Sequence, residues 1–113
     1  MVKKRFLPSK KEKRRYLAFE IISEDEINFK EVAGALSNSL IESLGYEAHI
    51  RLLTDKWNQE SQRGIIRVNN RYLNDLKKTL ELISHVDHEE IKIKTLGVSG
   101  MLNKAEKRYL IAG

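Results

Sequence analysis

The sequence predicts a single α+β domain in which two helices cover one face of a four-stranded antiparallel sheet and a third helix ends the chain. Two observations carry this. Strand-like and helix-like stretches follow one another in the order β-α-β-β-α-β, which is the order of the split βαβ, or ferredoxin-like, motif. The spacing of apolar residues also switches between two and about 3.6 from one stretch to the next, so each stretch has one face to bury.

The first strand is read from Tyr16 to Ser23, where Leu17, Phe19 and Ile21 alternate with Tyr16, Ala18 and Glu20. Beyond the acidic turn Glu24-Asp25-Glu26, Asn28 and Glu31 have the spacing of a capping box, in which a side-chain oxygen bonds the third helical amide. The helix that starts there buries Phe29, Val32, Ala33, Leu36, Leu40 and Leu44, and Gly45 stops it. Tyr46 to Thr54 reads as the second strand, Asp55 to Gln62 as a polar connection too long for a tight hairpin, and Arg63 to Asn69 as the third strand. In that strand Ile66 and Val68 face one side while Ile65 and Arg67 face the other. Asn69 or Asn70 caps a second helix with Leu73, Leu76, Leu80 and Ile83 inward. Ile91 and Ile93 alternate with Lys92 and Lys94 in the fourth strand, and Gly97-Val98-Ser99-Gly100 turns the chain into a short helix reaching about Leu110. The second sheet face then carries Tyr16, Ala18, Glu20, Ile65, Arg67, Lys92 and Lys94, a mixed surface suited to a protein partner, an RNA or the terminal helix folding back.

At 113 residues, 41% of them hydrophobic and one a proline, the chain is long and apolar enough for a real core. The absence of cysteine excludes disulfides, thiolate zinc sites and cysteine nucleophiles, and leaves a reducing compartment as the simpler assumption. No apolar run approaches the roughly 18 residues of a membrane span, so a cytoplasmic protein with no membrane partner is expected. The net charge of +5 is unevenly placed: residues 1–15 hold eight basic side chains against Glu12, a net +7, and the other 98 residues hold 13 basic and 15 acidic ones, a net −2. Residues 1–13 are therefore read as a basic tail, with Lys3, Lys4, Arg5, Lys10, Lys11 and Lys13 as auxiliary contacts, and 14–113 as the domain. Such a block repels itself until a polyanion neutralises it, and nucleic acid is the obvious polyanion. A tail that serves solubility alone, or a membrane-surface tail anchored by Phe6 and Leu7, are the other readings.

Several chemistries lack their motifs. Neither glycine-rich phosphate loop occurs, which argues against nucleotide turnover. Gly97-Val98-Ser99-Gly100 falls short of a nucleophile elbow because Met101 stands where the second glycine belongs. His85 and His88, three apart, lack further ligands and read better as histidines near a helix C-terminus, so no metal is expected. Arg63-Gly64 invites comparison with the third strand of RNA-recognition folds, but Ile65, Arg67 and Asn70 stand where stacking aromatics belong. Binding through phosphates and RNA shape fits better. A helix start after Gly97 and Gly100, capped by Ser99 and flanked by Lys104, Lys107 and Arg108, offers such a means, although an ordinary turn with a solvated charged face accounts for it equally.

Three stretches resemble the ribonuclease P protein component 2 family of Archaea and eukaryotes: Arg14-Arg15-Tyr16-Leu17-Ala18-Phe19-Glu20, then Gly64-Ile65-Ile66-Arg67-Val68-Asn69-Asn70-Arg71-Tyr72, then Thr95-Leu96-Gly97-Val98-Ser99-Gly100-Met101-Leu102-Asn103-Lys104-Ala105. The likeness spans about residues 14 to 110 and departs from the family pattern at Met101 and Asn103. It implies a ribonucleoprotein subunit that pairs with ribonuclease P protein component 3 and braces the catalytic RNA. The RNA and its magnesium ions would remove the 5′ leader of precursor tRNA, which this chain meets only indirectly; the protein itself would hold no cofactor and supply no catalytic residue. The resemblance makes Arg14, Arg15, Arg67, Arg71, Ser99, Gly100 and Lys104 the RNA contacts, with Lys107 and Arg108 joining from the basic side of the last helix, and leaves the apolar and mixed sheet face to the protein partner. The alternatives are a ferredoxin-like interaction or regulatory module, and an intrinsic nuclease.

Overall fold

The computed structural model describes residues 13–111; the tail residues Lys3, Lys4, Arg5, Lys10 and Lys11 lie outside them. In chain order the elements are β1 (Arg14–Ile22), α1 (Phe29–Leu44), β2 (Arg51–Leu52), β3 (Arg63–Asn69), α2 (Leu73–Leu82), β4 (His85–Val86), β5 (Glu89–Glu90), β6 (Lys92–Ser99) and α3 (Leu102–Ala105), which continues as a π-helical turn over Glu106–Ile111. The main sheet has the order β2-β3-β1-β6 with every pair antiparallel. This is the predicted α+β architecture, compatible with a ferredoxin-like fold.

The alternation in the strands decides which face holds the core. Leu17, Phe19 and Ile21 of β1, Ile66 and Val68 of β3 and Ile93 of β6 all turn toward Val32, Leu36 and Leu40 of α1 and Leu76 and Leu80 of α2, and all are buried. Each such side chain contributes about 1.5–3 kcal/mol on leaving water. Opposite Phe19 in the ladder stands Gly64, and the space a side chain would fill is taken by rings: a Cβ there would lie 2.9 Å from Trp57 and 3.0 Å from Phe19. Trp57 in turn stacks on Phe29 at 4.0 Å between centroids. The glycine of the Arg63-Gly64 pair thus serves aromatic packing under α1.

The helix signals operate with small shifts. Asn28 Oδ1 accepts from the Lys30 amide at 3.1 Å, one residue earlier than a capping box requires. Gly45 ends α1 with φ 84°, a conformation that favours glycine, and its amide bonds Ile41 O. The second helix itself starts after Tyr72 with no side-chain cap; Asn69, not Asn70, caps the turn before it, its Oδ1 accepting from the Arg71 amide at 3.0 Å and its Nδ2 donating to Glu47 O at 3.3 Å. A short 3-10 turn over Asn70–Tyr72 precedes α2.

Three expected boundaries are corrected. The second strand does not run from Tyr46 to Thr54: Tyr46–Ala48 is a 3-10 turn, His49 has φ 52°, and only Arg51–Leu52 pair with β3. Buried Ala48 and the Glu47 carbonyl that Asn69 needs hold this segment in a turn. His85 and His88 do not close a helix but belong to a β4-β5 hairpin, which places Val86 in the core and leaves both histidines exposed. Gly97, Val98 and Ser99 are not a turn but the last residues of β6, paired with Ala18, Leu17 and Tyr16. A bulge at Leu96 shifts the register by one residue, so the simple alternation that marks a strand in sequence breaks there. The polar connection before β3 also has a packing role. Gln62 donates to Ile21 O and accepts from the Ile27 amide, each within 2.8 Å, and so ties the β1-α1 turn to β3.

Candidate nucleic-acid interface

On the sheet face turned away from α1 and α2, the register sets side chains in cross-strand rows, three of which span three or more strands. The row nearest the start of β1 is Ser99, Tyr16, Arg67 and Arg51; the next is Gly97, Ala18 and Ile65; the third is Lys94, Glu20 and Arg63. They meet different neighbours.

The middle row is covered. Ala18 and Ile65 are 0% and 1% exposed, because Ala105 and Leu110 pack over Ile65 with Leu102, Tyr109, Leu53 and the Tyr16 ring around them. A Cβ on Gly97 would land within the Tyr109 phenol, so this glycine admits the terminal helix rather than an anion. Of the three occupants considered for this face, the terminal helix takes the apolar part. The wider π-helical turn holds Tyr109 partly buried beside buried Leu110. The third row secures the far end of that helix: Arg63 pairs with Glu20 at 3.2 Å and donates through Nη1 to Tyr109 O at 3.0 Å. Lys56–Glu106 at 3.1 Å and Asn58 Nδ2 to Leu110 O at 3.3 Å add to the hold.

The first row stays partly open, its Tyr16 ring half-buried against the Ile65 cluster. Arg51 is exposed and Arg67 half-buried, and among the described residues neither has an ion pair. Ser99 does not cap α3 directly; its Oγ accepts from the Met101 amide at 3.1 Å, and α3 starts one residue later with no side-chain cap. At the same end, Arg14 pairs in the ladder with Asn69 and Arg15 with Val68. A Cβ on Gly100 would lie 3.4 Å from Arg15 Nη1, and Arg71 is exposed two residues past Asn69. Lys13 enters here, its carbonyl bonded by the Asn70 amide at 2.8 Å.

Six of the sequence-derived residues, Arg14, Arg15, Arg67, Arg71, Ser99 and Gly100, therefore gather at one end. Lys104, Lys107 and Arg108 are exposed on the terminal helix, which runs from this end toward the third row. Arg51 is the member that sequence reasoning missed. Its only signal is the pairing partner of a two-residue strand, which a linear pattern does not reveal. The other end of the sheet carries an excess of acid, with Glu24, Asp25, Glu26, Glu60, Glu89 and Glu90 exposed beside the exposed Lys92 and Lys94. A domain whose last 98 residues sum to −2 is thus polarised along β1. Among the described residues, no three histidine or acidic side chains converge as a metal site, and no helix is long and apolar enough to cross a membrane.

Comparison with known proteins gives these features a context. Ribonuclease P protein component 2 of Pyrococcus furiosus is 32% identical over 105 residues, covering 91% of this chain and 88% of its own length. The protein of the same name from Methanosarcina mazei is 32% identical over 111 residues, covering 95% and 92%. A chain in the cryo-EM structure of yeast ribonuclease MRP shares the fold, with a TM-score of 0.58 at 17% identity over 96% of this chain and 89% of that one. The family model described as Rpp14/Pop5 matches residues 15–110, nearly the whole domain including both the open row and the terminal helix, and the chain belongs to the Rpp14/Pop5 family.

Proposed function

We propose that this chain is a non-catalytic protein subunit of ribonuclease P that holds the catalytic RNA by the basic end of its sheet, in the cytoplasm, and leaves the removal of the 5′ leader from precursor tRNA to that RNA. Family membership and the two component 2 relatives support the assignment as a ribonuclease P subunit. The observation that carries the mode of binding is the open row, in which Arg67, Tyr16 and Ser99 stand side by side with Arg14 and Arg15 at its edge.

The chemistry follows from charge and geometry. RNA presents one negative phosphate per nucleotide, and guanidinium groups bind phosphate oxygens through paired N–H donors. Arg14, Arg15, Arg67 and Arg71 supply four such groups at one end, Gly100 leaves the backbone accessible between them, and Lys104, Lys107 and Arg108 extend the positive surface along the terminal helix. The tail, with Lys3, Lys4, Arg5, Lys10, Lys11 and Lys13, leads into the same end through Lys13 and adds length to the contact. The acidic end repels RNA. In this reading it is the surface left to a protein subunit, for which ribonuclease P protein component 3 is the proposed partner. Magnesium belongs to the RNA.

Reconstitution of precursor-tRNA cleavage from the RNA and purified proteins, with and without this chain, tests the proposal. The chain is expected to stimulate cleavage at limiting magnesium; no stimulation would count against it. Removing residues 1–13 is expected to lower RNA affinity and flatten its salt dependence, by about 0.9 log units per log unit of salt for each duplex phosphate no longer neutralised, with the melting transition retained. Salt-insensitive binding would favour a protein-interaction module instead.

A further inference from the structure

We infer that Arg51 and Arg67 form a two-arginine clamp on one RNA phosphodiester, an inference that rests on the RNA-binding reading above and adds a residue and a geometry to it.

β2 is two residues long, and its two ladder pairs divide cleanly: Leu52 faces Ile66 on the buried side, and Arg51 faces Arg67 on the open side. Residues directly opposite in an antiparallel ladder have Cβ atoms about 4.5–5.5 Å apart, and like charges so placed destabilise the pair. Elsewhere on this face an arginine finds its counter-charge within the protein, since Arg63 faces Glu20 and pairs with it. Arg67 has Tyr16 on one side and Arg51 on the other, and among the described residues no carboxylate pairs with either arginine. A single anion between two guanidinium forks removes the repulsion and uses donors on both sides. A phosphodiester has the charge and the two unesterified oxygens for that. The strip continues through Tyr16 to Ser99, whose Oγ already accepts from the Met101 amide and so keeps its own proton to donate outward. The competing account makes Arg51 a charged guard on an edge strand, which deters pairing with another chain and needs no ligand.

The test uses the full chain and a transcript of the ribonuclease P RNA of the same organism, with affinity read by fluorescence anisotropy across a salt series. Arg51→Gln is expected to weaken binding about tenfold, as Arg67→Gln does, and each to lower the salt slope by about 1. The double variant should lose less than the product of the two, because both groups act on one phosphate. Lys78→Gln, which removes one exposed charge from α2, should leave affinity unchanged, and Arg51→Lys should recover only part of the loss. Free Arg51→Gln is expected to melt no lower than the wild type. If Arg67→Gln weakens binding and Arg51→Gln does not, the clamp is wrong and the RNA-binding reading survives. If the wild type shows no salt-dependent binding, that reading falls and takes the clamp with it.

Discussion

Arg63 and Arg67 lie on the same strand and the same sheet face, four residues apart, in opposite surroundings. Arg63 has Glu20 across the ladder and the Tyr109 carbonyl above it, so its donors are used within the fold. Arg67 has Tyr16 and Arg51 across its two ladders and no ion pair among the described residues. The terminal helix divides them, covering the Gly97, Ala18 and Ile65 row between. The role of an arginine here is set by its cross-strand neighbour, not by its place in a motif. One arginine closes the domain, and the other keeps no ion pair among the described residues.

The largest effect is expected from attacking the divider. Gly97→Val would drive side-chain atoms into the Tyr109 ring, and overpacking of this kind costs about 1–3 kcal/mol, with the upper end expected at a site that has no room at all. Urea denaturation should show the loss, and hydrogen exchange should show amides 105–110 losing protection before those of β1. An unchanged midpoint would mean that Tyr109 is not seated as described. Asn69→Ala comes next. It removes the cap of the turn before α2 and leaves the Glu47 carbonyl without its donor, at a cost of about 2 kcal/mol. If the melting temperature stayed put, the turn before α2 would not depend on Asn69.

How much of this contrast is legible in the sequence follows from how local each signal is. The alternation Leu17-Phe19-Ile21 and the stripe Phe29 to Leu44 place the core because period and burial are read from neighbours in the chain. Arg67 falls on the correct face for the same reason. Arg51 escapes because its meaning lies in which residue stands opposite it, 16 positions away. Gly97 to Ser99 read as a turn because the Leu96 bulge breaks the alternation, and glycine there suggests flexibility where the fold needs an empty space for Tyr109. The three motif stretches still find the family, since they record these constraints without explaining them. The clustering of Arg14, Arg15, Arg67, Arg71, Ser99 and Gly100 at one end emerges only when β1, β3 and β6 are laid side by side.

The smallest predicted effect is the one that most sharpens the comparison, because its sign differs between two matched substitutions. Arg63→Gln breaks a pair whose side chains are 27% and 26% exposed, together with one hydrogen bond to the Tyr109 carbonyl. Partly exposed pairs contribute about 0–1 kcal/mol and a hydrogen bond about 1, so a loss near 1 kcal/mol is expected, read as a drop of about 4–8 °C in melting temperature. RNA affinity should stay close to the wild type. Arg67→Gln removes the same charge from the same strand and should do the reverse: the melting temperature holds or rises as the repulsion with Arg51 disappears, while RNA affinity falls. Equal losses of affinity in the two variants would show that RNA responds to the summed charge of β3, and the distinction between a closing arginine and a binding one would fail. Opposite responses would tie RNA binding to the row that the terminal helix leaves open.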